Sequence, residues 1–102
     1  MNGYDIDGVL TIGMLPYKGD VIITGRSFEE APETYHFLFR KGIFNAVYFN
    51  PKTFDQKTKL NSGAWKASII NLLGVEKFFE DDQIQADKIE ELAPNVFIQL
   101  VE

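Results

Sequence analysis

The chain has 102 residues, with fifteen Asp+Glu against ten Lys+Arg, a formal net charge of −5. That length holds one domain, and 45% hydrophobic with 25% charged residues is a globular composition that excludes a disordered chain. Zero cysteines exclude a disulfide framework, a zinc finger and a thiol nucleophile. No apolar run approaches the ~20 residues of a membrane span, and the opening MNGYDIDG lacks the basic region and apolar core of a secretory leader. A cytoplasmic location and no membrane partner are therefore expected. The charge is uneven: Glu76 to Glu102 holds eight acids and two bases, a net of −6, so residues 1–75 sum to +1. A net-acidic domain is a poor non-specific binder of nucleic acid.

In chain order, Met1 to Ile6 reads as a short strand, although Asn2 and Gly3 are poor strand formers. Val9 to Gly19 leaves room only for a tight turn and a small flap, in which Tyr17 and Lys18 are candidate substrate contacts. Val21-Ile22-Ile23 is a β-branched run ended by Thr24-Gly25. A helix follows, with Pro32 in its first turn, Glu29, Glu30 and Glu33 complementing its N-terminus, and Gly42 as its stop. Phe44 to Phe49 is a strand ended by Asn50-Pro51, and Lys52, Lys57 and Lys59 mark a basic loop.

Ser62 is the candidate N-cap of a helix over Ala64–Leu73, closed by Gly74. Lys66 then falls in a first turn, where a cation opposes the helix dipole at about 0.3–1 kcal/mol. Its stem can be an exposed lysine's or can run toward a carboxylate crevice. Lys77 to Glu80 is a short strand, Ile84 to Ala93 a helix halted by Pro94, and Val96 to Val101 a last strand. The alternation implies an α/β domain over residues 1–102, with a mainly parallel sheet of about five strands covered by helices.

In such a sheet, ligands sit beyond the C-terminal strand ends, near the topological switch point. The segments placed there are Asp5 to Asp7, Thr24-Gly25-Arg26, Asn50-Pro51 and Glu80-Asp81-Asp82. Crowded carboxylates repel, so converging them calls for a cation, and Mg²⁺ suits a few hard oxygen ligands. Arg26 can clamp a substrate anion or pair with Glu29 or Glu30. His36 has no His or Cys partner for a zinc site. Trp65 reads as core or as a stacking ring, and Asp87 as an exposed helix residue or an outlying acid of the site.

These motifs, over nearly the whole chain, resemble the haloacid dehalogenase (HAD) superfamily of phosphotransferases. Tyr4-Asp5-Ile6-Asp7-Gly8 matches its strand leading into D-x-D-G, and Val21-Ile22-Ile23-Thr24 its strand ending in Thr or Ser. Lys66 matches its helix lysine, and Phe78-Phe79-Glu80-Asp81-Asp82 its strand ending in an acidic pair. The resemblance implies a three-layer Rossmann-like fold, without a cap domain because the intervening segments are short. It implies a Mg²⁺-dependent phosphomonoester hydrolase with Asp5 as nucleophile and Asp7 as general acid–base. Thr24, Gly25 and Arg26 would hold substrate, Lys66 would neutralise charge, and the metal would lie on Asp5, the Asp7 carbonyl and the acidic pair, Asp81-Asp82 or Glu80-Asp81. A HAD-fold binding or regulatory module with little turnover is the alternative. A receiver domain has its acidic pair and phosphorylated Asp in the reverse order. The partner implied is a phosphorylated substrate, small or macromolecular, and the nine Phe leave apolar surface suited to a homo-oligomer.

Overall fold

Five short strands alternate with three helices along residues 1–102 of the computed structural model. They are β1 (Asn2–Tyr4), β2 (Val21–Ser27), α1 (Ala31–Arg40), β3 (Val47–Asn50), α2 (Lys59–Leu73), β4 (Lys77–Glu80), α3 (Gln83–Leu92) and β5 (Phe97–Leu100). The sheet order is β3-β2-β1-β4-β5 and every neighbouring pair is parallel. This is an α/β, three-layer Rossmann-like fold. The chain steps outward from β1 to β2 and β3, then returns to β4 on the other side of β1. The switch point therefore lies between β1 and β4, above Asp5.

Strand alternation divides the core between the two faces. Val21 and Ile23 of β2 point to one side, where Ile70 of α2 and Ile89 of α3 join them around Phe78. Ile22 points the other way, with Tyr4, Ile6, Leu38 of α1 and Ile43. α1 thus covers one face and the α2–α3 pair the other. No helix is long and apolar enough to cross a membrane.

β1 is three residues long and yet pairs on both edges, Gly3 opposite Val21 on one side and Phe78 on the other. The backbone N–H of Asp5 continues the ladder to the Phe79 carbonyl at 3.0 Å. A Cβ at Gly3 would stand 2.8 Å from a Phe78 ring carbon. Glycine's low strand propensity is accepted there because the Phe78 ring needs the space.

Two element starts differ by more than a residue from the sequence reading. α2 starts at Lys59, not Ala64, because Thr58 and Asn61 cap it reciprocally. Ser62 is then a buried residue inside the helix, and its hydroxyl accepts from Asn50 Nδ2. Lys66 is consequently well inside α2, so the dipole cost assigned to a first-turn cation does not arise. β3 starts at Val47 rather than Phe44, whose ring stays exposed.

Candidate active site

Asp5 leaves the end of β1 on the same side of the sheet as Gly3, and Glu80 ends β4 on the same side as Phe78. Both carboxylates therefore face α2, where Lys66 is buried between them. Lys66 Nζ lies 2.7 Å from Glu80 Oε1 and 3.3 Å from Asp5 Oδ2. Its side chain is 1% exposed, against 7% for Asp5 and 0% for Glu80. Such ions tolerate burial only because they pair. Burial alone would push Lys66 down, but the charges of Asp5 and Glu80 override it and raise its pKa. Glu80 is pushed up to about 8 by burial and by the Asp5 charge, against the opposing pull of Lys66. Its second oxygen accepts from the backbone N–H groups of Asp81 and Asp82 at 3.2 and 3.3 Å.

Oxygens of Asp5, Glu80 and Asp81 lie within 4.8 Å of one another. Burial and the Asp5 charge raise the Asp81 pKa, which registers crowding of like charges. Glu80 spends both oxygens on protein N–H donors, whereas Asp81 accepts no side-chain bond and Asp5 meets a cation only at Oδ2, from Lys66. The Asp7 carbonyl also accepts no backbone hydrogen bond. These free hard oxygens fit a divalent cation such as Mg²⁺. Gly8 closes the same corner: its φ is +79°, and a Cβ there would overlap the Asp81 carboxylate. Only glycine meets both demands.

Asp82 is not part of this group. Its carboxylate caps α3 by accepting from the Gln85 N–H at 3.1 Å and lies 3.3 Å from Lys59 Nζ. The pair facing Asp5 is thus Glu80-Asp81 rather than Asp81-Asp82, because one residue after the strand is the helix cap.

On the opposite wall Arg26 grips both Asp7 oxygens, through Nε at 3.0 Å and Nη2 at 2.7 Å, and its Nη1 donates to buried Thr34 at 3.0 Å. It pairs with neither Glu29 nor Glu30. Its hydrogen bonds hold the Asp7 carboxyl below the usual carboxylate range, and Asp7 raises Arg26 in turn. Thr24 is fully buried, with its hydroxyl accepting from the Arg26 N–H at 3.0 Å. Glu30 accepts from the Ser27 N–H and from Lys57 Nζ, at 2.8 and 2.7 Å. Burial raises its pKa, but those partners outweigh it and bring it down.

Together these residues line an open cleft of about 460 Å³. Its charged lining is four acids, Asp5, Asp7, Glu30 and Asp81, against four bases, Arg26, Lys57, Lys59 and Lys66. Gly25, Thr58, Ser62 and Gln85 complete it, and no hydrophobic residue takes part. The sequence reading named neither Thr58, Ser62 as a lining residue, nor Gln85. Thr58 carried a signal in its spacing from Asn61; Gln85 carried none.

Several other candidates lie elsewhere. Tyr17 and Lys18 belong to the loop entering β2, at the opposite end of the strands, where the Tyr17 carbonyl accepts from Asn45. His36 is exposed on α1, and Trp65 packs on the α2-side core. Asp87 is exposed and accepts from Gln83 at 2.6 Å. Comparison of the chain with family models, curated proteins and solved structures finds no match.

Proposed function

We propose that the protein is a Mg²⁺-dependent phosphomonoester hydrolase acting through an aspartyl-phosphate on Asp5, a minimal capless domain of the HAD type. The observation that carries the reading is the convergence of Asp5, Lys66 and Asp81 at the switch point of a parallel sheet. Bound there by Asp5, Asp81 and the Asp7 carbonyl, Mg²⁺ would polarise a phosphoryl oxygen and reduce repulsion between substrate and carboxylates. The Asp5 oxygen not held by Lys66 attacks phosphorus as the substrate's ester oxygen leaves, and water then releases phosphate. Lys66 is fixed by Glu80 and orients Asp5. Asp7 would protonate the leaving oxygen and deprotonate the water, while the Gly25 backbone and Arg26 hold the phosphoryl group.

One observation favours the alternative of a binding module with little turnover. The two-point grip of Arg26 keeps Asp7 ionised, and an ionised carboxylate cannot give a proton to a leaving group. An aryl phosphate, whose leaving group needs little protonation, separates the readings. The enzyme reading expects Mg²⁺-dependent release of the aryl alcohol, and a larger loss for alkyl than for aryl phosphates in Asp7→Asn, of about 10²–10⁴-fold for the alkyl ester. No release of either alcohol with millimolar Mg²⁺ would favour the module.

A further inference from the structure

We propose that the open edge of the sheet, along β3 and the adjoining flank of α1, is an interface on which a second copy of this chain docks across a twofold axis. The interface does not depend on the phosphatase reading of the cleft.

The first observation is an unbroken row of rings. Phe28 contacts Phe49, Phe49 contacts Tyr35, Tyr35 contacts Phe39 and Phe39 contacts Phe44, with centroids 5.8, 5.6, 5.5 and 5.4 Å apart. Tyr35 and Phe39 are four positions apart, so they stack along one flank of α1. Phe49 reaches that flank from β3. The row therefore follows the seam between β3 and α1, from Phe28 just after β2 to Phe44 before the start of β3. Of the five rings only Phe49 is buried; Phe28 is 62% exposed and Phe44 76%, and Tyr35 and Phe39 are exposed as well.

The second observation is the edge itself. β3 pairs with β2 alone, so its outer side is open. An open edge is a template for another strand, and proteins blunt it with charged side chains, Lys above all. Ile43 to Asn50 carries no charged residue. The far edge is guarded instead: Lys77 Nζ lies over the rings of Phe79 and Phe97, 5.0 and 5.6 Å from their centroids, beside β5.

Area and charge name the occupant. At about 200 Å² per aromatic side chain, the exposed parts of Phe28, Tyr35, Phe39 and Phe44 come to about 450 Å². A standard interface takes about 800 Å² from each partner, a little over half of it apolar. The row alone thus supplies the apolar share. A twofold interface sets one patch against itself, which an uncharged patch allows without repulsion. The acidic excess lies elsewhere: residues 76–102, with their net of −6, build β4, α3 and β5 on the other side of the sheet. Docking along β3 holds the two acidic halves apart, whereas docking along β5 would bring them together. With the axis perpendicular to the sheet, the two rows run antiparallel and Phe28 stands opposite the partner's Phe44.

Sedimentation equilibrium tests this at ~100 μM, well above the micromolar upper end of dissociation constants for an interface of this size. Wild type should show twice the 11.6 kDa chain mass. Phe44→Glu and Phe28→Lys should each be monomeric, and Phe97→Glu on the far edge should stay dimeric, all with the far-ultraviolet circular dichroism of wild type. An equimolar mixture of Phe44→Glu and Phe28→Lys should dimerise again, because the antiparallel rows bring the new charges together. A monomeric wild type would overturn the proposal and leave the row to a different protein. Dimeric Phe44→Glu and Phe28→Lys would also overturn it, and a mixture that stays monomeric would overturn the antiparallel arrangement.

Hydrogen exchange of wild type gives a readout without a variant. Diluting the protein through its dimer midpoint should speed amide exchange in Val47–Asn50 and leave Phe97–Leu100 unchanged. A dimer whose dissociation leaves β3 exchange unaltered, or speeds β5 instead, would overturn the assignment of this edge.

Discussion

Lys66 with Asp5 and Glu80 on one wall of the cleft, and Arg26 with Asp7 on the other, are both contacts between a cation and carboxylates, but the first is sealed and the second open. Lys66 and Glu80 are almost wholly shielded, whereas the Asp7 side chain is 64% exposed. In the interior each charge depends on its partner, because water cannot replace it. At the surface solvent screens the pair and replaces either member at small cost. Under the proposed function, the buried cluster would hold the nucleophile in place, and the exposed pair would leave Asp7 able to change partners.

The largest break in this comparison is Lys66→Ala. A partly exposed lysine would have made this substitution mild, and burial reverses that expectation. Removing the cation leaves Asp5 and Glu80 buried together, so unfolding free energy should drop by about 3–5 kcal/mol, measured by urea denaturation. A loss under about 1 kcal/mol would mean that water reaches the cluster.

Adding Mg²⁺ should act in the opposite direction. An ion bound only by the native state stabilises by about 2.7 kcal/mol at a hundred times its Kd. Thermal melts in millimolar Mg²⁺ and in chelator should separate, and identical midpoints would count against Asp5 and Asp81 as ligands.

The buried cluster also has a pH signature. The Glu80 pKa is raised to about 8 in the folded state, so the native protein holds this proton more tightly than the unfolded chain. The resulting stability is present below the ordinary carboxylate value of roughly 4.3 and is lost as pH rises toward about 8. In chelator, stability should therefore fall more steeply between pH 5 and 8 (roughly the span of that titration) in wild type than in Glu80→Gln. Equal slopes would contradict the assignment.

The smallest effect belongs to the open side. Arg26→Ala should cost about 1–2 kcal/mol, because solvent screens the exposed Asp7 while buried Thr34 loses its hydrogen bond. The Asp7 pKa is lowered in the folded state, so its contribution is present above the ordinary carboxylate range and lost as pH falls below it. The difference between wild type and Arg26→Ala should shrink in acid, as followed by chemical denaturation.

Of the two, the open pair was the harder to read from sequence, and the buried cluster was legible in part. The alternation of elements was enough for the parallel α/β architecture, and α3 was legible to within a residue at each end. β1 was obscured because Gly3 is chosen for the Phe78 ring and not for strand propensity. The start of α2 was hidden because Ser62 resembles a cap as much as Thr58 does, and only Asn61 breaks the tie. That error moved Lys66 from the helix interior to the first turn. The choice between Glu80 and Asp82 did have a signal: two-residue alternation puts Glu80 on the face of Phe78, toward α2, while Asp82 precedes Gln83 at a helix start. The Arg26–Asp7 pair joins residues 19 positions apart, and nothing local in either segment announces it.

Under the proposed function, Asp5 accepts the phosphoryl group. Acid-quenching wild type during turnover of an aryl phosphate with Mg²⁺, followed by peptide mass spectrometry, tests it directly. A phosphoryl adduct on Asp5, absent from Asp5→Asn together with all turnover, is the predicted result. Turnover by Asp5→Asn at the wild-type rate, or an adduct on another residue, would contradict it.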